Sequence, residues 1–177
     1  FLLDSVGRQI FPSWLNIVED PHIQRGFRSA YFDAEGVATS KSPLVVDGKI
    51  ARYILGSYSA RKLGLTTTGN AGGVHNLFTT ANAGDLQSLI KNMGAGLLVT
   101  ELMGQGVNTL TGDYSRGAAG FWVEHGEIQY AVDELTIAGN LAQMLPAIEA
   151  IGSDIDKRSH INIGSMLIGK MTVAGNN

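Results

Sequence analysis

Gly96-Leu97-Leu98-Val99-Thr100-Glu101-Leu102 is an apolar run. Met103-Gly104-Gln105-Gly106-Val107-Asn108-Thr109-Leu110-Thr111-Gly112-Asp113-Tyr114-Ser115-Arg116-Gly117 is a polar, glycine-rich connection, and Ala118-Ala119-Gly120-Phe121-Trp122-Val123 is apolar again. The tight turn Glu124-His125-Gly126-Glu127 follows, and Ile128-Gln129-Tyr130-Ala131-Val132 then alternates as a third strand. Three β-runs that follow one another through turns predict an antiparallel sheet. The whole chain therefore reads as α+β, mainly antiparallel β-sheet with a few helices. Glycine admits positive φ and close backbone approach, so the connection from Met103 to Gly117 is shaped by its backbone. A loop of that kind, held between rigid strands, is where function is expected.

Working outward, Trp14-Leu15-Asn16-Ile17-Val18-Glu19 alternates as a strand and Asp20-Pro21 ends it. Gly36-Val37-Ala38-Thr39 is a short strand candidate. Leu44-Val45-Val46 and Ile50-Ala51-Arg52-Tyr53-Ile54-Leu55 flank Asp47-Gly48-Lys49, a strong hairpin signal. Ser57 to Leu63 predicts a short helix with Ser57 as N-cap and Gly64 past its end. Thr66 to Gly73 is a second glycine-rich loop, without the Gly-Lys-Ser/Thr ending of a phosphate-binding loop, and Val74 to Thr80 reads as a strand. Asp85 caps a helix to Met93, on which Leu86, Leu89, Ile90 and Met93 share one face. Asn140 caps a last helix, with Leu141, Met144, Leu145, Ile148 and Ile151 as its buried stripe and Pro146 inside it as a kink or as its true start. Ser153 to His160 is a polar loop, and Ser165 to Ile168 and Met171 to Val173 are closing strands. No repeat or linker interrupts the pattern, so residues 1–177 are expected to form a single domain.

The bulk properties exclude several function classes. The 177 residues carry a formal net charge of -3, which supplies no attraction for nucleic acid. Cysteine is absent, so there is no disulfide framework, thiolate nucleophile or cysteine metal site. No apolar run reaches the length of a membrane span, which makes cytoplasm the default location. A chain that opens on Phe1 reads as a fragment or a processed product.

The four histidines, His22, His75, His125 and His160, stand far apart, and no His-Glu-x-x-His places two imidazoles on one helix face. Asp113, Ser115 and His125 have the residue types of a hydrolytic triad, but Gly112 to Gly117 is one residue too long for a nucleophile elbow. The plainer reading has Asp113 and Ser115 capping turns and Arg116 paired with a nearby carboxylate. Glu101 reads as an outward-facing residue of a half-exposed sheet. Phe121 and Trp122 must point to opposite faces. No catalytic residue and no metal ligand is assigned to this chain.

Gly112 to Trp122, Gly126-Glu127-Ile128 and Thr136-Ile137-Ala138-Gly139-Asn140-Leu141 closely resemble the modulator of DNA gyrase family, in its PmbA (TldE) branch. Ile17-Val18-Glu19-Asp20-Pro21, Phe32 to Val37, Tyr53 to Leu65 and Thr68 to Leu77 extend the match in order. The resemblance covers the C-terminal part of such a protein. It implies a subunit of a TldD/TldE-type zinc metalloprotease acting on unfolded or small peptides, with microcin-precursor maturation and antitoxin degradation as its processes. Zinc is expected in the TldD-type partner and no cofactor in this chain. The zinc motif of the TldD branch lies upstream of this region, and the loop that supplies its cysteine ligand matches Ile151 to Gly164, which has no cysteine here. The expected partners are thus a TldD-type protein and an unfolded peptide, with a homodimer as the other assembly. Gly104, Gly106, Asn108, Asp113, Tyr114, Ser115 and Arg116 are the expected peptide or partner contacts, since glycine loops suit backbone contact and Tyr and Arg dominate interface energetics. Two other readings stand beside this one. One is a self-sufficient metallopeptidase whose site is completed by an N-terminal region; the other is a small-molecule or phosphate binder using the glycine loops.

Overall fold

The computed structural model describes residues 1–175. In chain order its elements are β1 (Ile17–Glu19), β2 (Ser42–Val46), β3 (Lys49–Ile50), α1 (Ser57–Leu63), β4 (Leu77–Thr79), α2 (Leu86–Met93) and β5 (Gly96–Met103). There follow β6 (Asp113–Glu124), β7 (Glu127–Asn140), α3 (Leu141–Met144), β8 (Ile148–Ile151), β9 (Ile161–Asn162), β10 (Met166–Ile168) and β11 (Thr172–Ala174). Strands outnumber helices and pair antiparallel except β4 with β9, so the fold is α+β as expected. The chain divides into two compact units.

The sheet unit comprises Phe1–Leu3, Ala81–Asp154 and the described residues from Gly164 onward. Its main sheet has the order β11-β7-β6-β5, and β8 pairs with β10 in a second, two-stranded sheet. The β6–β7 hairpin turns through His125 and Gly126 at φ 55° and 73°, the paired positive φ values of a tight two-residue turn. The strands run longer than their apolar cores. β6 starts at Asp113, not Ala118, and β7 runs to Asn140, because Asp113 to Gly117 pair with Asn140 to Thr136 and the ladder satisfies their backbone whatever the side chains. Helix α2 forms as expected. Asp85 accepts the Ser88 N–H at 3.0 Å, Gly94 closes the helix at φ 68°, and Leu89 and Ile90 are buried. Burying each of those two side chains is worth about 1.5–3 kcal/mol.

The expected helix after Asn140 is shorter than its apolar stripe. Asn140 does cap it, accepting the Ala142 N–H at 2.9 Å, but α3 ends at Met144 and Ile148–Ile151 is strand β8. Pro146 stops the helix, and the β-branched Ile148 and Ile151 then pair with β10.

The second unit comprises Asp4–Thr80 and Ile155–Ile163, with one sheet of order β3-β2-β1-β4-β9. Asp47 and Gly48 make the predicted hairpin turn at φ 48° and 74°. Leu15, Leu44, Val45, Ile50, Leu55 and Ala60 form its core. The strands here are shorter than their sequence runs. The Gly36–Thr39 candidate is reduced to a single Phe32–Ala38 bridge, and Ala51 to Leu55 leave the sheet. Helix α1 is capped by Gly56, not Ser57; the Ser57 N–H is instead taken by the Glu35 carboxylate at 2.8 Å.

Candidate functional site

The connection between β5 and β6 is a nine-residue loop, Gly104 to Gly112, laced by its own hydrogen bonds. Gly104 opens it at φ 76°. The Gly106 carbonyl accepts the Ser115 N–H at 2.7 Å, and a Cβ on Gly106 would overlap the Ser115 carbonyl, so only glycine fits there. The Asn108 N–H donates to the Asp113 carbonyl at 2.8 Å, and Asn108 Oδ1 accepts the N–H groups of Leu110 and Thr111 at 2.9 and 3.3 Å. The Asp113 carboxylate accepts the Thr111 hydroxyl at 2.6 Å and the Asn140 amide at 3.0 Å. Those two donors, the hydroxyl first, hold its pKa below the ordinary 3.8.

The structure brings five of the seven expected contact residues to one open pocket of about 520 Å³, walled by Gln105 to Leu110 and Asp113 to Ser115. They are Gly106, Asn108, Asp113, Tyr114 and Ser115; Gly104 and Arg116 lie outside its walls. Asp113 ties down a turn as expected. Ser115 instead sits in the β6 ladder, and Arg116 finds no carboxylate. Its Nη2 donates to the Leu102 carbonyl at 3.3 Å, while Nε is buried with no hydrogen-bond partner among the described residues. The triad candidates stay apart: His125 is in the hairpin turn, ten positions along from Ser115, about 33 Å at the rise of an extended strand. Glu101 is exposed. Trp122 donates its indole N–H to Glu124 at 2.9 Å.

A larger groove, of about 800 Å³, runs along β5 in the same unit. Its walls are α2, the segment from Ala95 to Leu102, and the segment from Ser165 to Met171, with Trp122, Ile137 and Met144 among its apolar side chains.

The second unit holds a buried polar cluster that the sequence reading missed. Glu19 is 1% exposed. Its Oε1 accepts the His75 backbone N–H at 2.6 Å, the Asn70 amide at 2.8 Å and a contact from His75 Nδ1 at 3.0 Å, while Oε2 pairs with Arg52. Burial by itself raises the Glu19 pKa, but the His75 N–H, the imidazole and the Arg52 guanidinium outweigh it and leave the carboxyl below 4.5. Arg52 also reaches Ser42 Oγ, the Tyr53 carbonyl and Asn70 Oδ1. Asp33 fastens the same glycine loop, accepting the N–H groups of Ala71, Val37 and Glu35 at 2.9 Å each. Parity was the available signal: Leu15, Ile17 and Glu19 share one strand face, and Leu15 is in the core. The partners could not be read, because they lie 33 to 56 residues away.

No three His, Cys, Asp or Glu side chains converge as metal ligands among the described residues. His22 contacts Thr39 Oγ1 and packs on Tyr31, His75 is committed to Glu19, and His125 is in a hairpin turn. Among the described residues these three imidazoles are not brought together. Among the described residues no helix is long and apolar enough to cross a membrane.

The family model of the PmbA/TldA metallopeptidase C-terminal domain matches residues 1–175. Metalloprotease PmbA of Escherichia coli O157:H7 is 55% identical over 175 residues, 99% of this chain and 39% of that protein. The PmbA homolog of Haemophilus influenzae is 52% identical over 177 residues, with the same 99% and 39% coverage. The chain thus spans about two fifths of the length of these curated relatives. Among solved structures, a protein of Bacteroides thetaiotaomicron described as a modulator of DNA gyrase superposes with a TM-score of 0.92 at 30% identity, over 99% of this chain and 40% of that one. TldE from Thermococcus kodakarensis shares the fold, with a TM-score of 0.82 at 24% identity over 98% of this chain and 42% of that one.

Proposed function

The chain belongs to the PmbA/TldA metallopeptidase C-terminal domain family, and on that premise we propose that it is the peptide-handling part of a PmbA/TldE-type subunit. In this reading the subunit pairs with a TldD-type partner, the partner holds the zinc, and the pair cleaves unfolded or small peptides such as a microcin precursor or an antitoxin. One observation carries it: the sheet unit offers backbone to a ligand. Beside β5 lies a groove of about 800 Å³, and next to it the glycine-shaped pocket of Gly106, Asn108, Asp113, Tyr114 and Ser115. Extended peptides are held by main-chain hydrogen bonds with little regard to sequence, which is what a protease for unfolded chains requires. Tyr114 and Arg116 are the anchors toward partner or peptide, Tyr114 because it lines both cavities and both because their residue types dominate interface hot spots.

Co-expression of the full-length protein with a TldD-type partner tests this. The expected product is a complex that cleaves an unfolded peptide, with zinc that stays with the partner when the two are separated. Stoichiometric zinc and peptidase activity in the isolated full-length protein would replace this reading with the self-sufficient metallopeptidase.

A further inference from the structure

Successive side chains of a β-strand point to opposite faces, so a cavity lying over a sheet face meets only every second residue. The large groove meets every residue from Ala95 to Leu102 and every residue from Ser165 to Met171. The first run is an edge of β5, and the second holds an edge of the short β10, Met166–Ile168, flanked by Ser165 and by Gly169 to Met171 outside the strand. The pairing agrees: among the described residues β5 pairs with β6 alone and β10 with β8 alone, so each has one edge outside any ladder. Both edges open on one cavity with an apolar lining.

We propose that this groove is a slot for a single extended polypeptide segment, lying between β5 and β10, with a preference for cationic segments that carry apolar side chains at alternate positions. The proposal rests on the peptide-handling reading above and adds where the peptide lies and what charge it bears. Unpaired N–H and C=O groups on both sides supply main-chain hydrogen bonds, and every second side chain of the segment enters the apolar lining. A compact apolar ligand would leave those backbone groups unmet. The charge follows from composition: the sheet unit holds nine acidic side chains against Lys91, Arg116 and Lys170, and the groove walls themselves carry Glu101 and Glu149 against Lys170. A field of that sign gathers Lys- and Arg-rich segments and repels acidic ones.

The test uses the full-length protein with its TldD-type partner and two unfolded peptides of one apolar pattern, with Lys or Glu at the polar positions and a photoreactive side chain. Crosslinks are expected within residues 95–102 and 165–171. The Lys peptide should bind about tenfold more tightly at low salt, a margin that narrows as salt rises. Charge reversal at two exposed positions, Glu101→Lys with Glu149→Lys, should erase the preference and keep the crosslinks. These 177 residues have no cysteine, so Thr100→Cys adds a thiol to this region at an exposed position, and a bulky maleimide there should abolish crosslinking to both segments when the labelled variant is compared with wild-type protein treated the same way. Circular dichroism confirms that these variants fold. Crosslinks confined to residues 104–116, or unchanged crosslinking after the maleimide, would overturn the slot and leave the peptide-handling reading intact. So would binding of a second copy of the chain in the groove. Equal affinity for the two peptides would overturn the charge preference. Absence of both crosslinking and cleavage would overturn the parent reading as well.

Discussion

Replacing Glu19 by glutamine isolates the energetics of the buried cluster, since it keeps the side-chain shape and removes the charge. Both carboxylate oxygens face donors: Oε1 meets the His75 N–H, the imidazole and the Asn70 amide, and Oε2 meets Arg52. An amide has one oxygen, so its NH₂ must face a donor on one side or the other. The ion pair is lost either way; turned toward Arg52 the NH₂ also sets donor against donor, and turned toward His75 it strands up to three donors. A hydrogen bond to a charged group is worth about 1.5–3 kcal/mol, and breaking one partner of a buried pair costs about 3–5 kcal/mol. Arg52 keeps Ser42, Tyr53 and Asn70, which argues for the lower part of that range, about 3 kcal/mol. For a chain of this length that is a fall of about 6–12 °C in melting temperature. The sign with pH follows from the lowered carboxyl. The unfolded group titrates near 4.5 and the folded one below it, so the stabilisation is whole above pH 4.5 and is lost as pH falls through the folded value. Thermal melts followed by circular dichroism at neutral and acid pH read both quantities, with Glu101→Gln as an exposed control. A Glu19→Gln variant that melts with the wild type at neutral pH, or a gap that stays constant into acid, would refute the reasoning.

Gly106→Ala should force the loop open, because the new methyl overlaps the Ser115 carbonyl; limited proteolysis is expected to nick residues 104–112 faster while the rest of the sheet unit survives. Asp113→Ala releases Thr111 and Asn140, so amide hydrogen exchange should quicken from Asn108 to Gly112 and at the start of α3, with little change elsewhere. Tyr114→Ala combined with Arg116→Ala is expected to weaken partner pairing or peptide cleavage while the melting temperature holds; a large stability loss with unchanged affinity of the folded fraction would contradict the anchoring role. The chain by itself, metal-loaded and dialysed, should retain less than stoichiometric zinc by elemental analysis, and micromolar zinc binding lost on changing His75 or His160 would contradict that.

Local chemistry is what the sequence determined about this protein. Asp47-Gly48 and His125-Gly126 demand tight turns, Asp85 and Gly94 bound an amphipathic helix, and the alternating runs around them commit the chain to antiparallel sheet; each signal acts within a few residues. The family match was legible for the same reason, since it rests on contiguous residues. Tertiary structure decided the rest. Asp113 to Gly117 read as loop, yet they are strand because β7 is there to pair with them. Ile148 to Ile151 read as helix, yet Pro146 and the β10 ladder make them strand. Glu19, Arg52, Asn70 and His75 meet only after the chain has closed on itself, and the groove beside β5 exists because two edges from distant segments face one cavity. Turns and caps depend on the backbone preferences of neighbouring residues, which any short stretch displays. Pairing, burial and convergence depend on which distant segments arrive beside one another, and no single stretch records that.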